Sequence, residues 1–180
     1  MTSLRSSAVA LIVTTTVLMA PAASGQDASQ THVTGILADH VWVDLGAGAG
    51  PWQVSGTWSA RVSGISGKGE FVAAILGVRS DLWVLQTGAD PQTSPRMPHT
   101  HHVALPDATV TAIPGGIRLT GNAIMTTNGN VATDFSGSPI VVDITGGNTV
   151  QWSNMKLTFL GQSTGHFGSH TYDGVVTIER

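Results

Sequence analysis

The chain has 180 residues, a formal net charge of −3, no cysteine, 22 glycines and only 11% charged side chains. That length fits one domain, and the missing thiol excludes disulfide scaffolds, zinc ribbons, CxxC redox sites and cysteine nucleophiles. With 8 Lys and Arg in all, the chain lacks the basic face a nucleic-acid partner needs, while 41% hydrophobic residues suffice for a core.

Residues 1–25 read as a secretory leader. Arg5 is the only charge before Asp27, an apolar run covers residues 8–19, and Ala20-Pro21-Ala22-Ala23-Ser24-Gly25 offers the small residues of a cleavage site. The run is too short to span a bilayer. Residues 26–180 are then the working domain, secreted or periplasmic, with no membrane span once the leader is removed. An outer-membrane barrel would want aromatic girdles, and the aromatic fraction is 6%.

The rest of the chain reads as strands and turns. Over residues 33–45 Val33, Leu37, Val41 and Val43 share one parity, which leaves His32 and His40 facing solvent. The glycine-rich segment at 46–51 is a loop. From Trp52 to Val62 the even positions are apolar or glycine and the odd ones polar, the pattern of a strand with one wet face. Ser66-Gly67-Lys68-Gly69 is the expected turn. Residues 71–78 are apolar on both parities and read as a more buried strand. Residues 108–113 and 117–127 flank the turn Pro114-Gly115-Gly116. Asn128-Gly129 is a type I′ hairpin signal, and Gly146-Gly147-Asn148 separates residues 140–145 from 149–160. In that last segment a β-bulge at Ser153-Asn154 would bring Val150 and Trp152 onto one face with Met155, Leu157 and Phe159. Tyr172, Gly174, Val176 and Ile178 form the inward row of the final strand.

Links this short join antiparallel neighbours. A meander of about eight to ten strands closes most simply into a barrel, which removes its edges. The expected fold is therefore all-β, a single antiparallel up-and-down β-barrel. A two-sheet β-sandwich is the alternative.

The strongest chemical signal is Pro98-His99-Thr100-His101-His102-Val103-Ala104-Leu105. On a strand His99 and His101 fall on the parity of Val103 and Leu105, hence inward, and His102 outward. Near the other end of the chain, His170 extends the inward row of the final strand backward, with His166 as its substitute across the glycines. Neutral imidazole binds zinc, copper, nickel or iron. His99, His101 and His170 or His166 would give a three-histidine site with an open position for a small-molecule ligand or substrate. The competing reading is a polar loop with incidental histidines, because Pro95 and Pro98 flank the cluster. On that reading there is no cofactor, and the protein is either a metal-free carrier of a small apolar ligand or an extracellular interaction module. The sequence alone identifies neither a catalytic residue nor an oligomeric state.

Other motifs are weak. Gly161-Gln162-Ser163-Thr164-Gly165 has the G-x-S-x-G form of a nucleophile elbow, but no helix is expected over the following His166-Phe167-Gly168-Ser169-His170. Glu70 and Asp81 flank one strand and are read as surface carboxylates. Gly56-Thr57-Trp58, followed by Ser59-Ala60-Arg61, resembles the G-x-W signature of lipocalins and other calycins. That resemblance implies an up-and-down barrel whose tryptophan closes one end and whose interior holds a small apolar ligand. The strand-borne His-x-His is similar to that of cupins. Asp107 stands near where their first motif wants a glutamate, and their second motif is absent, so no cupin activity is carried over.

Overall fold

The computed structural model describes residues 30–43, 50–65, 67–79, 98–132, 135–146 and 153–180. The leader, residues 46–49 of the expected loop 46–51, Asp81 and the Val150/Trp152 half of the expected bulge lie outside the described residues, and Gly50 and Pro51 are corrected from loop to strand. Alternating apolar residues form β1 (Gln30–Val43), β2 (Gly50–Ser63), β3 (Gly67–Arg79), β4 (His99–Ile113), β5 (Gly116–Asn122), β6 (Ile124–Thr127), β7 (Asn130–Val131), β8 (Pro139–Thr145), β9 (Asn154–Phe159) and β10 (Thr171–Glu179). All of their pairings are antiparallel, in the order β3-β2-β1-β10-β9-β8-β5-β4, and β3 pairs with β4 to close the ring. The result is a closed, up-and-down, eight-stranded barrel. Closure removes the free edges that a sandwich would have kept.

Beside the ring, β6 prolongs the line of β5 along the first half of β4, and β6 and β7 form a hairpin. Its turn residues Asn128 and Gly129 have φ of +49° and +82°, as a type I′ turn requires. The reversal between β2 and β3 comes earlier than the glycine spacing implies. Gly69 already pairs with Val62 and Ala108, so Gly67, Lys68 and Gly69 are strand and the turn lies upstream at Gly64-Ile65.

The interior is filled by side chains. Leu37, Phe71, Leu105, Ile117, Leu119, Met125, Ile140, Ile144, Met155, Leu157 and Phe159 all lie below 2% exposure. A cavity large enough for a ligand would leave accessible area on the residues lining it. The expectation of a more buried strand over residues 71–78 holds for one face only: Phe71, Ala73 and Ile75 point in, while Val72 and Leu76 are 49% and 40% exposed. Ile178 is corrected in the same way. At Thr177 the register with β1 shifts, and Ile178 beyond it turns outward.

Trp58 sits midway along β2, opposite Gly35 and Ala73, and not at a barrel end. Its indole stacks on Phe71 with centroids 6.2 Å apart and donates to the Ile36 carbonyl at 3.3 Å. A Cβ on Gly35 would overlap the Val175 carbonyl oxygen and lie 2.6 Å from the indole. Glycine is thus what lets β1 and β10 close tightly over the tryptophan.

The outer surface is uneven. Arg118, Asp143, Lys156 and Asp173 stand directly opposite one another across β5, β8, β9 and β10. In that row Arg118 holds Asp143 at 2.6 and 2.7 Å, and Lys156 holds Asp173 at 3.1 Å. Ile36, Val72, Ile124 and Val175 are also exposed, Ile36 and Val175 beside Lys156 and Asp173.

Gly35→Ala should destabilise the fold by about 1–3 kcal/mol through overpacking. Equilibrium denaturation would read this as a lower midpoint with an unchanged slope. No shift in the midpoint would refute the close approach.

Candidate metal centre

The start of β2, the end of β3, the start of β4, the end of β6, the end of β9 and the start of β10 meet at one end of the barrel. The β9–β10 connection crosses that end. It consists of a 3₁₀ turn, Gly161–Ser163, running into one α-helical turn, Thr164–Phe167. Ser163 is fully buried, donates its hydroxyl to the Leu160 carbonyl at 2.7 Å and donates its backbone N–H to the Ser138 hydroxyl oxygen at 3.2 Å. It is a structural bracket, so the G-x-S-x-G form is not an elbow. The helical turn over Thr164–Phe167 corrects the expectation of no helix here. Phe167 seals the interior by stacking on Phe159 at 3.9 Å between centroids, and the Tyr172 hydroxyl donates to the Phe167 carbonyl at 2.8 Å.

This turn carries His166 over the mouth of the barrel, where it meets the two histidines of β4. His101 lies inward and is 3% exposed, His99 is half-buried one step nearer the rim, and His102 points outward as expected. The ligand-capable nitrogens of His99, His101 and His166 all lie within 4.8 Å of one another. His166 Nε2 is 3.0 Å from His101 Nε2. The third imidazole of the cluster is therefore His166. His170 packs on Tyr172 with centroids 4.6 Å apart and stands outside the group. His40 is exposed, and His32 is half-buried on the outer face.

Aromatic rings enclose the group. Trp52 meets His99 edge-on at 5.3 Å, Phe135 stacks on His166 at 4.8 Å, and Phe167 meets His101 at 4.8 Å. Three of the four phenylalanines in the chain, Phe135, Phe159 and Phe167, gather at this end.

Hydrogen bonding assigns the protons. The Thr126 carbonyl lies 3.3 Å from His101 Nδ1, and since a carbonyl only accepts, Nδ1 carries the proton. The Thr127 hydroxyl oxygen is also within 3.1 Å of that nitrogen. A neutral His101 then has its Nε2 lone pair free, and His166 Nε2–H donates to it. A metal ion would take the place of that shared proton, with His166 moving its own proton to Nδ1. The carbonyl behind Nδ1 is the kind of partner that orients a ligating histidine.

Electrostatics favour the neutral, ligating form. Burial, then the neighbouring charges of His166 and His99, push His101 down to about 3 against the opposing pull of Thr126. Burial and His99 push His166 down to about 4. Among the described residues, no carboxylate acts on either one. His170 is also lowered by burial, with Asp39 pulling the other way.

Tetrahedral coordination at 2.0–2.1 Å needs donor nitrogens about 3.3 Å apart. His101 and His166 already meet that spacing within a few tenths of an ångström. The nitrogen of half-buried His99 lies within 4.8 Å of both. The sequence could have pointed to His166 through its neighbour, since Phe167 had to be buried and a short turn would place His166 beside it.

The lowered histidines make the metal-free protein acid-sensitive. Below pH 6.5 the unfolded chain binds protons that folded His101 and His166 refuse down to about 3 and 4. The melting temperature of chelator-treated protein should hold above pH 6.5 and fall progressively toward pH 4, with a shallower fall in His166→Gln. A flat profile would contradict the burial. Comparison with protein-family models, curated proteins and solved structures finds no match.

Proposed function

We propose that the chain is an exported β-barrel that holds one divalent transition-metal ion through His99, His101 and His166 and presents an open coordination position to a small molecule. The observation that carries this reading is the convergence of three imidazoles, from β4 and from the β9–β10 turn, inside an aromatic shell. Zinc, copper, nickel and iron all accept such ligands. A metal held by three histidines polarises a bound group and lowers the pKa of bound water. Export rests on the leader pattern of residues 1–25.

The lipocalin-like carrier reading draws less support, because the described interior side chains leave no accessible lining. The interaction-module reading keeps one observation in its favour, the exposed Ile36, Val72, Ile124 and Val175. It does not compete for the histidine end of the barrel.

Tag-free protein should carry about one equivalent of metal by elemental analysis. That metal should be lost in His99→Ala, His101→Ala and His166→Ala and kept in His32→Ala and His170→Ala. A free-ion excess of about a hundredfold over Kd should stabilise the fold by about 2.7 kcal/mol. This gives a second readout in the milder His99→Gln, where the stabilisation should shrink. Absence of stoichiometric metal after reconstitution would defeat the proposal. Intact-mass measurement of the exported protein should place its N-terminus near Gln26, and a retained leader would defeat the export reading.

A further inference from the structure

Two of the three imidazoles, His99 and His101, project from β4 with one residue between them, Thr100. The backbone at Thr100 therefore sets the distance their rings must span. On one side β3 holds it, with Leu76 opposite Thr100 and Gly77 opposite His99. On the other side the ladder with β6 runs from Ala104 opposite Ile124 to His101 opposite Thr127, where β6 ends. The chain then reverses at Asn128 and Gly129. Asn128 carries the hold on β4 one step further. Its backbone N–H donates to the Thr100 carbonyl at 2.8 Å, and the Thr100 N–H donates to its side-chain amide oxygen at 3.0 Å. One asparagine thus engages both backbone polar groups of the residue between the two histidines. It does so from φ of +49°, a left-handed conformation that asparagine tolerates better than most side-chain-bearing residues. The two residues before it, Thr126 and Thr127, meet His101 Nδ1. Three consecutive hairpin residues therefore address this stretch of β4: two orient one ring, and the third holds the backbone from which both rings project.

We propose that Asn128 is a positioning residue of the metal centre: by clamping the Thr100 backbone it fixes the spacing at which His99 and His101 present their nitrogens to one ion. The inference rests on the metal centre proposed above. A turn alone would need only the positive φ, which glycine supplies at no steric cost. The bond from the amide oxygen to β4 goes beyond that need. It acts where the strand is weakest, since His99 is the first residue of β4 and strand ends fray at little cost. A freed Thr100 backbone lets His99 drift from His101, and the same donors then bind the ion less tightly. Asn128 acts through β4 and not as a ligand, in the manner of the outer contacts that orient metal-binding side chains.

Cobalt(II) provides the test, since its visible absorption reports coordination. Metal-free full-length protein is titrated with cobalt against a competing chelator. Asn128→Gly keeps the turn and the backbone N–H but loses the amide oxygen. It should weaken cobalt binding about tenfold or more and change the shape of the cobalt band. Asn128→Asp keeps an acceptor oxygen at the same place and should restore the wild-type band. Asn130→Gly loosens the same hairpin without removing the clamp and should leave both affinity and band near wild type. Unchanged cobalt binding in Asn128→Gly, an equal loss in Asn130→Gly, or no rescue by Asn128→Asp overturns the positioning role and leaves the metal centre standing. Amide hydrogen exchange of the wild-type protein gives a check that needs no variant. The Thr100 amide should be protected, and free exchange there overturns the clamp even if Asn128→Gly does not fold. Failure of any protein-dependent cobalt band to form in the wild-type protein overturns the centre itself, and the role of Asn128 with it.

Discussion

The pairing of β3 with β4 is the constraint on which the rest depends. It runs from Gly67 opposite Val110 to Gly77 opposite His99, and it turns an open meander into a ring. Along β4 the inward residues are His101, Val103 and Leu105, then Ala108 and Val110. The parity changes between Leu105 and Ala108. The register absorbs the change with one extra residue at Pro106-Asp107, opposite the step from Gly69 to Phe71 on β3. A proline suits such a bulge because it has no N–H to offer the ladder. Without the extra residue, a strand holding Ala108 and Val110 inside would turn His99 and His101 out to solvent. The bulge therefore lets one strand serve the hydrophobic core at one end and the histidine cluster at the other.

Placing imidazoles in that position opposes folding on its own account. Each ring loses hydration, and the rings raise the cost of charging one another. The fold offsets part of this with local partners: the Thr126 carbonyl behind His101, the hydrogen bond between His166 and His101, and ring contacts to Phe135 and Phe167. Those partners come from β6 and from the β9–β10 turn, far apart in sequence. The β6–β7 hairpin, which adds nothing to ring closure, supplies Thr126 and Thr127 to the site. The Tyr172 hydroxyl fixes the backbone just after His166. The end of the barrel is built around the cluster, which argues against histidines stranded there by accident.

Much of this was legible in the sequence, for definite reasons. Period-2 alternation identified β2 and placed His99 and His101 inward and His102 outward, because parity is rigid along an unbroken strand. Asn128-Gly129 gave its turn because both residues tolerate positive φ. The misreadings fall where parity is interrupted or where the outer face is itself apolar. Residues 71–78 looked more buried than their neighbours because Val72 and Leu76, on the outer face, are apolar yet exposed. Ile178 was placed inward because the register shift at Thr177 leaves no mark in composition. His170 and His166 exchanged priority because counting alternate residues backward from Tyr172 assumes a strand, whereas the chain there makes a helical turn. The G-x-W resemblance correctly accompanied an up-and-down barrel. Its implied position for the tryptophan failed because here Gly35 accommodates the indole in the middle of the wall.

The absence of cysteine narrows the chemistry of the site. Without thiolate, an iron–sulfur cluster has no ligands of its usual kind, and protein donors are mainly nitrogen and oxygen. Three imidazoles rank divalent ions by the usual order, with copper above nickel and zinc, so affinity alone would not select zinc. Selection must come from geometry and charge. His101 is held by Thr126 on one side and Phe167 on the other, which fixes one donor direction, while half-buried His99 retains the freedom to adjust. One fixed and one adjustable donor suit an ion without strong directional demands, and zinc has none from its d-electrons. In the centre proposed above, a tetrahedral ion held by the three imidazoles would keep one position for a small molecule.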